Sequence, residues 1–182
     1  MDGGKRRARP KLVAIDLDER AEDGVAGALG GAVSSTGAYI EDEEARLLAR
    51  LEARGFELVI VTAGPAAQAE RAAASAGIHP IVLADISLWQ PSSGDGSPSS
   101  IRASALAELC DRHMLAFRDV CVIAAWPDDR EMLFEAGWAL ALESAGYEAC
   151  AGADEVFPAR EQGGLAQALA FLVDGLCEGW LD

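Results

Sequence analysis

The sequence predicts a three-layer, Rossmann-like α/β fold: a mostly parallel sheet with helices on both faces. Three observations carry this. Apolar runs rich in branched residues, at 12–17, 56–61 and 120–125, lack the polar alternation of a half-solvated strand and so read as strands buried on both sides. Segments of helical spacing stand between them, giving the alternation of a βαβ chain. Finally, a chain of 182 residues with 51% hydrophobic side chains can bury one full core without staples.

In order, Leu12 to Leu17 is strand one, and a loop rich in Gly, Ala and Ser follows over 21–38. The spacing of Ala45, Leu48 and Leu51 predicts a helix over 41–54, closed by Gly55. Phe56 to Val61 is strand two, Thr62 to Pro65 a turn, Ala66 to Ala76 an alanine-rich helix stopped by Gly77, and Ile81 to Ala84 a short third strand. Residues 91–100 contain no apolar residue and read as a linker loop. Helical spacing resumes over 101–113, with Leu106, Leu109 and Cys110 turned inward. Strand four follows at 120–125, a helix at 129–135, strand five at 138–142, a short helix at 145–149 and a small strand at 155–157. In the last helix Leu169, Leu172, Val173, Leu176, Cys177, Trp180 and Leu181 recur at steps of three and four, a stripe expected to pack on the sheet.

Composition excludes several function classes. Residues 1–11 form a basic, flexible tail, whereas residues 12–182, the single core domain, hold no lysine and a large acidic excess; the whole chain carries a formal charge of −15. Such a body repels nucleic acid and anionic membranes. No apolar run is long enough to span a bilayer and no leader pattern is visible, so a cytoplasmic protein is expected. Cys110, Cys121, Cys150 and Cys177 form no CxxC pair and are expected to be buried thiols. His79 and His113 are too few for a histidine zinc site, and both are expected to face solvent.

In a sheet of this kind ligands sit beyond the carboxyl ends of the strands, which makes the residues after each strand informative. Strand one ends in Asp16 and Asp18, two carboxylates on one side of an extended chain and suited to nucleophile and acid–base roles. Strand two ends in Thr62, whose hydroxyl and the amides after it, from Ala63 on, can hold an anion. Strand four runs into Ala124-Ala125-Trp126-Pro127-Asp128-Asp129 and adds two acids. Carboxylates converging from separate strands suit a hard cation such as magnesium.

These motifs resemble the haloacid dehalogenase (HAD) superfamily, in particular its Cof-like phosphatase branch. KLVAIDLDE is similar to the first motif, hhhhDxDxT, and ELVIVTAGP to the second, hhhTGRP. IVLADIS stands where that branch has IAENGA. VCVIAAWPDDREMLFEAGWALALESAGYEACAGADEVFP follows the pattern of a strand, GDxxNDxxML, AG, an alanine-rich strand and ADxV, and EQGGLAQAL looks like the usual close. The resemblance implies an aspartyl-phosphate mechanism, with Asp16 as nucleophile, Asp18 as general acid and base, and Thr62 on the phosphoryl oxygens. It implies a magnesium ion held by Asp16, the backbone carbonyl of Asp18 and the fourth-motif acids Asp128 and Asp129.

The chain departs from the family pattern at several positions. Arg20 stands for the first-motif threonine and Glu19 for the glycine before it. Arg102, in SSIRASAL, stands for the third-motif lysine, and Ala125 for the first metal-binding aspartate. Magnesium is therefore expected to bind weakly or to be lost, with Asp128 or Glu19 left open as a replacement ligand. Trp126 reads either as the wall of an apolar pocket or as loop packing. The linker over 91–100 stands in place of the branch's cap domain, so a capless, open site is expected. It would take a larger substrate or borrow a lid from a homodimer mate or another protein partner.

The leading expectation is a capless HAD-like hydrolase, a magnesium-dependent phosphomonoesterase acting on a small molecule. Two alternatives stand beside it: the same fold turned to metal-independent acid–base chemistry on a biosynthetic substrate without phosphate, and a non-catalytic interaction module.

Overall fold

The computed structural model describes residues 9–18, 39–84 and 97–178. Most of the basic tail, Glu19, Arg20, the Gly-rich loop over 21–38, residues 91–96 of the linker, and Trp180 and Leu181 lie outside these residues. Among the described residues six strands form one sheet in the order β3-β2-β1-β4-β5-β6, with β1 at Leu12–Asp16, β2 at Glu57–Val61, β3 at Ile81–Leu83, β4 at Val120–Ala124, β5 at Trp138–Leu142 and β6 at Glu155–Phe157. Every pairing is parallel. The chain steps from β1 to β2 and β3 on one side, then crosses to β4, β5 and β6 on the other. The strand order reverses at β1, the place where sheets of this kind bind ligands beyond their carboxyl edge.

The helices are α1 (Asp42–Ala53), α2 (Ala66–Ala76), α3 (Pro98–Arg112), α4 (Arg130–Glu135), α5 (Tyr147–Gly152) and α6 (Gly164–Glu178). They divide between the two faces as the strand alternation requires. Val13, Ile15 and Leu17 pack with Leu48 and Leu51 of α1, Ala69 and Ala73 of α2, and Leu169, Leu172 and Val173 of α6. Leu12 and Ala14 pack on the other face with Leu106 and Leu109 of α3, Met132 and Leu133 of α4, and Ala149 of α5. Leu169, Leu172 and Val173 of the expected α6 stripe are thus core, and the side chains of Leu176 and Cys177 lie outside what is described.

Element boundaries move where caps decide them. Helix α3 starts three residues before the apolar spacing does, because the Ser97 hydroxyl accepts the Ser100 N–H at 3.2 Å and Pro98 supplies a preset φ in the first turn. The last residues of the expected linker are therefore helical. The expected helix at 145–149 is a 3-10 turn, Glu143–Ala145, followed by α5, with Gly146 between them at φ 85°. Only glycine adopts that bend without strain.

Buried Glu44, in the first turn of α1, was not anticipated as a core residue. Its carboxylate accepts the Glu41 N–H at 3.0 Å and both Nε and Nη2 of Arg160, at 3.1 and 2.8 Å. The pair ties the start of α1 to the turn after β6, and Arg160 also stacks 4.4 Å over the Tyr39 ring.

Candidate active site

Alternation along β1 sends Leu12 and Ala14 to the α3 face, and Asp16 and Asp18 continue that series. Helix α3 runs back from the carboxyl edge of the sheet, so its second turn brings Arg102 over the end of β1. Val61 pairs in register with Asp16, which puts Thr62 beside the two acids. The turn after β4, Pro127–Asp129, brings in Asp129 from the other side.

These groups close into one network. Arg102 Nη1 donates to Asp16 Oδ2 at 2.5 Å and to Asp129 Oδ1 at 3.3 Å, while Nη2 donates to Asp18 Oδ2 at 3.2 Å. The Asp18 N–H donates to Asp16 Oδ1 at 2.7 Å. Asp18 in turn accepts the Thr62 hydroxyl and the Ala63 N–H, the latter at 2.8 Å. Asp129 Oδ2 accepts the N–H groups of Ala125 and Trp126, each at 3.0 Å. Asp16, Asp18, Thr62, Arg102 and Asp129 are each no more than 4% exposed. One guanidinium thus serves three buried carboxylates.

Electrostatics follow from that count. Burial, the largest influence, pushes the Asp16 carboxyl well above the usual carboxylate range; Asp129 and Asp18 add repulsion, against Arg102 and the Asp18 amide. Burial also raises Asp129, opposed by Arg102 and the Trp126 and Ala125 amides. For Arg102, burial works against the charge, yet the three carboxylates outweigh it and hold the guanidinium protonated more firmly than usual.

Of the residues singled out in the sequence, Asp16, Asp18, Thr62, Ala63, Arg102 and Asp129 come together. Asp128 is half-buried in the turn beside them, and the contact with Arg102 from that turn is made by Asp129. Trp126 fits neither expectation alone: its ring packs partly buried against the core on the α1 and α6 side, and its Nε1–H donates to the Asp18 backbone carbonyl at 2.9 Å. Arg20 lies outside the described residues. His79 and His113 follow α2 and α3 at the opposite edge, next to Glu52 and Glu57. Both are exposed, as expected. Beside the site, a cleft of about 190 Å³ is lined by Pro127, Arg130, Gly146, Tyr147 and Glu148.

The chain shares its architecture with solved phosphatases. The 3-deoxy-D-manno-octulosonate 8-phosphate phosphatase of Moraxella catarrhalis, solved with magnesium, phosphate and KDO, superposes with a TM-score of 0.65 at 19% identity, over 93% of this chain and 88% of that one. The cobalt-bound enzyme of Haemophilus influenzae gives 0.66 at 14% identity, over 93% and 91%. The fold is the HAD fold. The Yersinia pestis phosphatase of the same name gives 0.66 at 18% identity, over 97% and 86%. No family model matches the chain, and no curated protein matches it in sequence.

The HAD resemblance implies a divalent ion on Asp16, the Asp18 carbonyl and a fourth-motif carboxylate, and the residues present do not fit one. Ala125 offers no ligand, and its methyl group is buried in the core. The Asp18 carbonyl accepts the Trp126 indole N–H, and Asp16 and Asp129 are bridged by the guanidinium. A divalent ion there would lie beside that guanidinium, whose repulsion offsets part of the attraction of the carboxylates. Among the described residues, no group of three or more His, Cys, Asp or Glu is arranged to hold a metal.

Proposed function

We propose that this chain is a phosphatase-like hydrolase that acts on a small phosphorylated molecule at the carboxyl ends of β1, β2 and β4. The observation that supports this most is the convergence of Asp16, Asp18, Thr62 and Arg102 in one hydrogen-bonded cluster within a HAD fold. The motifs resemble the Cof-like branch, whereas the similar structures carry the name of an octulosonate phosphatase, so the substrate is proposed only as a class. The magnesium dependence that the resemblance implies is left out of this reading, because the donor set does not fit the ion.

In this reading a carboxylate oxygen of Asp16 attacks the phosphorus of a monoester. The bond from phosphorus to the alcohol oxygen breaks, and Asp18, which takes up a proton from solvent as it turns from its donors to the leaving group, gives that proton to the departing oxygen. A water then loses a proton to the Asp18 carboxylate and attacks the aspartyl phosphate. The phosphorus–oxygen bond to Asp16 breaks, which releases inorganic phosphate and restores both acids. When Asp18 turns to the leaving group it frees the Thr62 hydroxyl and the Ala63 amide, and these receive the phosphoryl oxygens. Arg102 remains protonated and offsets the charge that gathers on the cluster. One fixed positive charge supplies less than a divalent ion would, so turnover is expected at or below about 1 s⁻¹, the low end of ordinary enzymes.

The test is hydrolysis of p-nitrophenyl phosphate and a panel of sugar phosphates by chelator-treated protein. Asp16→Asn is expected to lower the rate at least a hundredfold, and equal rates in the two proteins would remove the proposal. A second reading, a non-catalytic module, is favoured by one observation: every carboxylate oxygen of Asp16, Asp18 and Asp129 already accepts a protein donor. It predicts no phosphate release that depends on Asp16.

A further inference from the structure

We infer that Arg102 and Trp126 together take the place of the divalent ion, so that the carboxylate cluster of this chain is held together from within by one fixed cation and excludes magnesium. The inference concerns the cluster itself and holds whether or not the proposed hydrolysis takes place.

An ion in this position has two jobs: to neutralise converging carboxylates and to fix the end of β1 against the turn after β4. Here the charge is supplied by the Arg102 guanidinium, whose Nη1 bridges Asp16 and Asp129 while Nη2 holds Asp18. A planar fork with donors in fixed directions can span three carboxylates in a way that a lysine ammonium on a flexible stem would not reproduce. The tie between strand and turn is supplied by Trp126. Its indole N–H, reaching from the start of the turn, aims the positive end of its dipole at the Asp18 carbonyl oxygen at 2.9 Å. The same turn is anchored by Asp129, which accepts the Ala125 and Trp126 amides, so the indole is held from behind by one of the acids that Arg102 neutralises.

The substitutions are coherent with one another. The absence of a carboxylate at Ala125 lowers the negative charge that the one internal cation has to offset. Retention of Asp129 keeps the acceptor that orients both the guanidinium and the turn.

The experiment uses the full chain, freed of metal by chelation, with Mn²⁺ as the probe, read by electron paramagnetic resonance and by melting temperature. The wild type is expected to leave Mn²⁺ unbound up to about 1 mM, with an unchanged melting temperature at that concentration. Trp126→Phe keeps a ring but frees the carbonyl, and Arg102→Met removes the internal cation. The double variant is expected to bind one Mn²⁺ at least tenfold more tightly than the wild type and to gain thermal stability from it. Trp126→Phe alone, which leaves the ion network intact, covers the case in which the double variant does not fold, and it is expected to show a smaller gain of the same sign. Stoichiometric micromolar binding by the wild type would overturn the inference. So would an unimproved affinity in every folded variant, because it would show that these two side chains do not occupy the ion's place. Both readouts are independent of turnover, so a protein that proves inactive on phosphomonoesters still decides the question.

Discussion

Replacing Arg102 by methionine would keep much of the side chain's volume and remove its charge. Three carboxylates, none with a side chain more than 3% exposed, would then face one another without a cation. Removing one partner of a buried ion pair costs about 3–5 kcal/mol, because the charge left behind has lost both water and its counter-ion. For a chain of this size about 2–4 °C of melting temperature corresponds to 1 kcal/mol, so Arg102→Met is expected to melt about 6–20 °C lower. A double-mutant cycle with Asp129→Asn separates charge from packing. Asp129→Asn alone also destabilises, since its amide turns a donor toward Arg102. Adding it to Arg102→Met, however, removes one of the stranded carboxylates. The two effects are therefore expected to sum to at least about 1 kcal/mol less than their separate values. Urea unfolding of the four proteins measures this. A loss under about 1 kcal/mol for Arg102→Met, or additivity within about 0.3 kcal/mol, would refute the claim that the guanidinium holds the cluster together.

Three further outcomes are expected. Glu44→Ala and Arg160→Ala each break the buried tie between α1 and the turn after β6, and each is expected to lower stability by about 3 kcal/mol in urea unfolding, with the double variant close to either single one. Burial pushes the Cys110 thiol up to about 11 and Cys121 higher still, so neither is expected to react with a thiol reagent at pH 8 unless the protein unfolds. Because these folded-state values lie above the unfolded one, their contribution to stability is full below pH 9 and is lost as pH rises through about 11. Alkaline unfolding followed by circular dichroism is expected to be shallower in Cys110→Ala.

Fold and site were legible in the sequence to different depths. The strands could be read because segments such as Leu12–Asp16 and Val120–Ala124 are apolar on both faces, a pattern that only the interior of a parallel sheet explains. Helix α2 could be read to the residue, since Pro65 and Gly77 bracket it and both fix the backbone locally. Helix α3 was misplaced at its start, because Ser97 and Pro98 sit in a polar stretch where the cap is indistinguishable from linker composition. Strand alternation foretold that Asp16 and Asp18 would share a side. Arg102 could be placed near them only through the family resemblance, since spacing alone does not say which turn of α3 overhangs β1. The Glu44–Arg160 pair joins positions more than a hundred residues apart, and each looks like an ordinary solvated charge in its own segment. Trp126 reads in the sequence as a pocket wall or as loop packing, because a hydrogen bond from its indole to a backbone carbonyl leaves no mark there.

The central claim is that Asp16 takes up a phosphoryl group without a divalent ion. Acid-quenched mass spectrometry after incubation with p-nitrophenyl phosphate in excess chelator tests it most directly, and Asp18→Asn is the form to use, because this leaving group departs without a proton whereas hydrolysis of the intermediate still needs the base. A single phosphoryl adduct on the peptide that contains Asp16, labile to hydroxylamine and absent from Asp16→Asn, is the predicted result. Phosphate release without that adduct, or an adduct that forms only when magnesium is restored, would contradict the account.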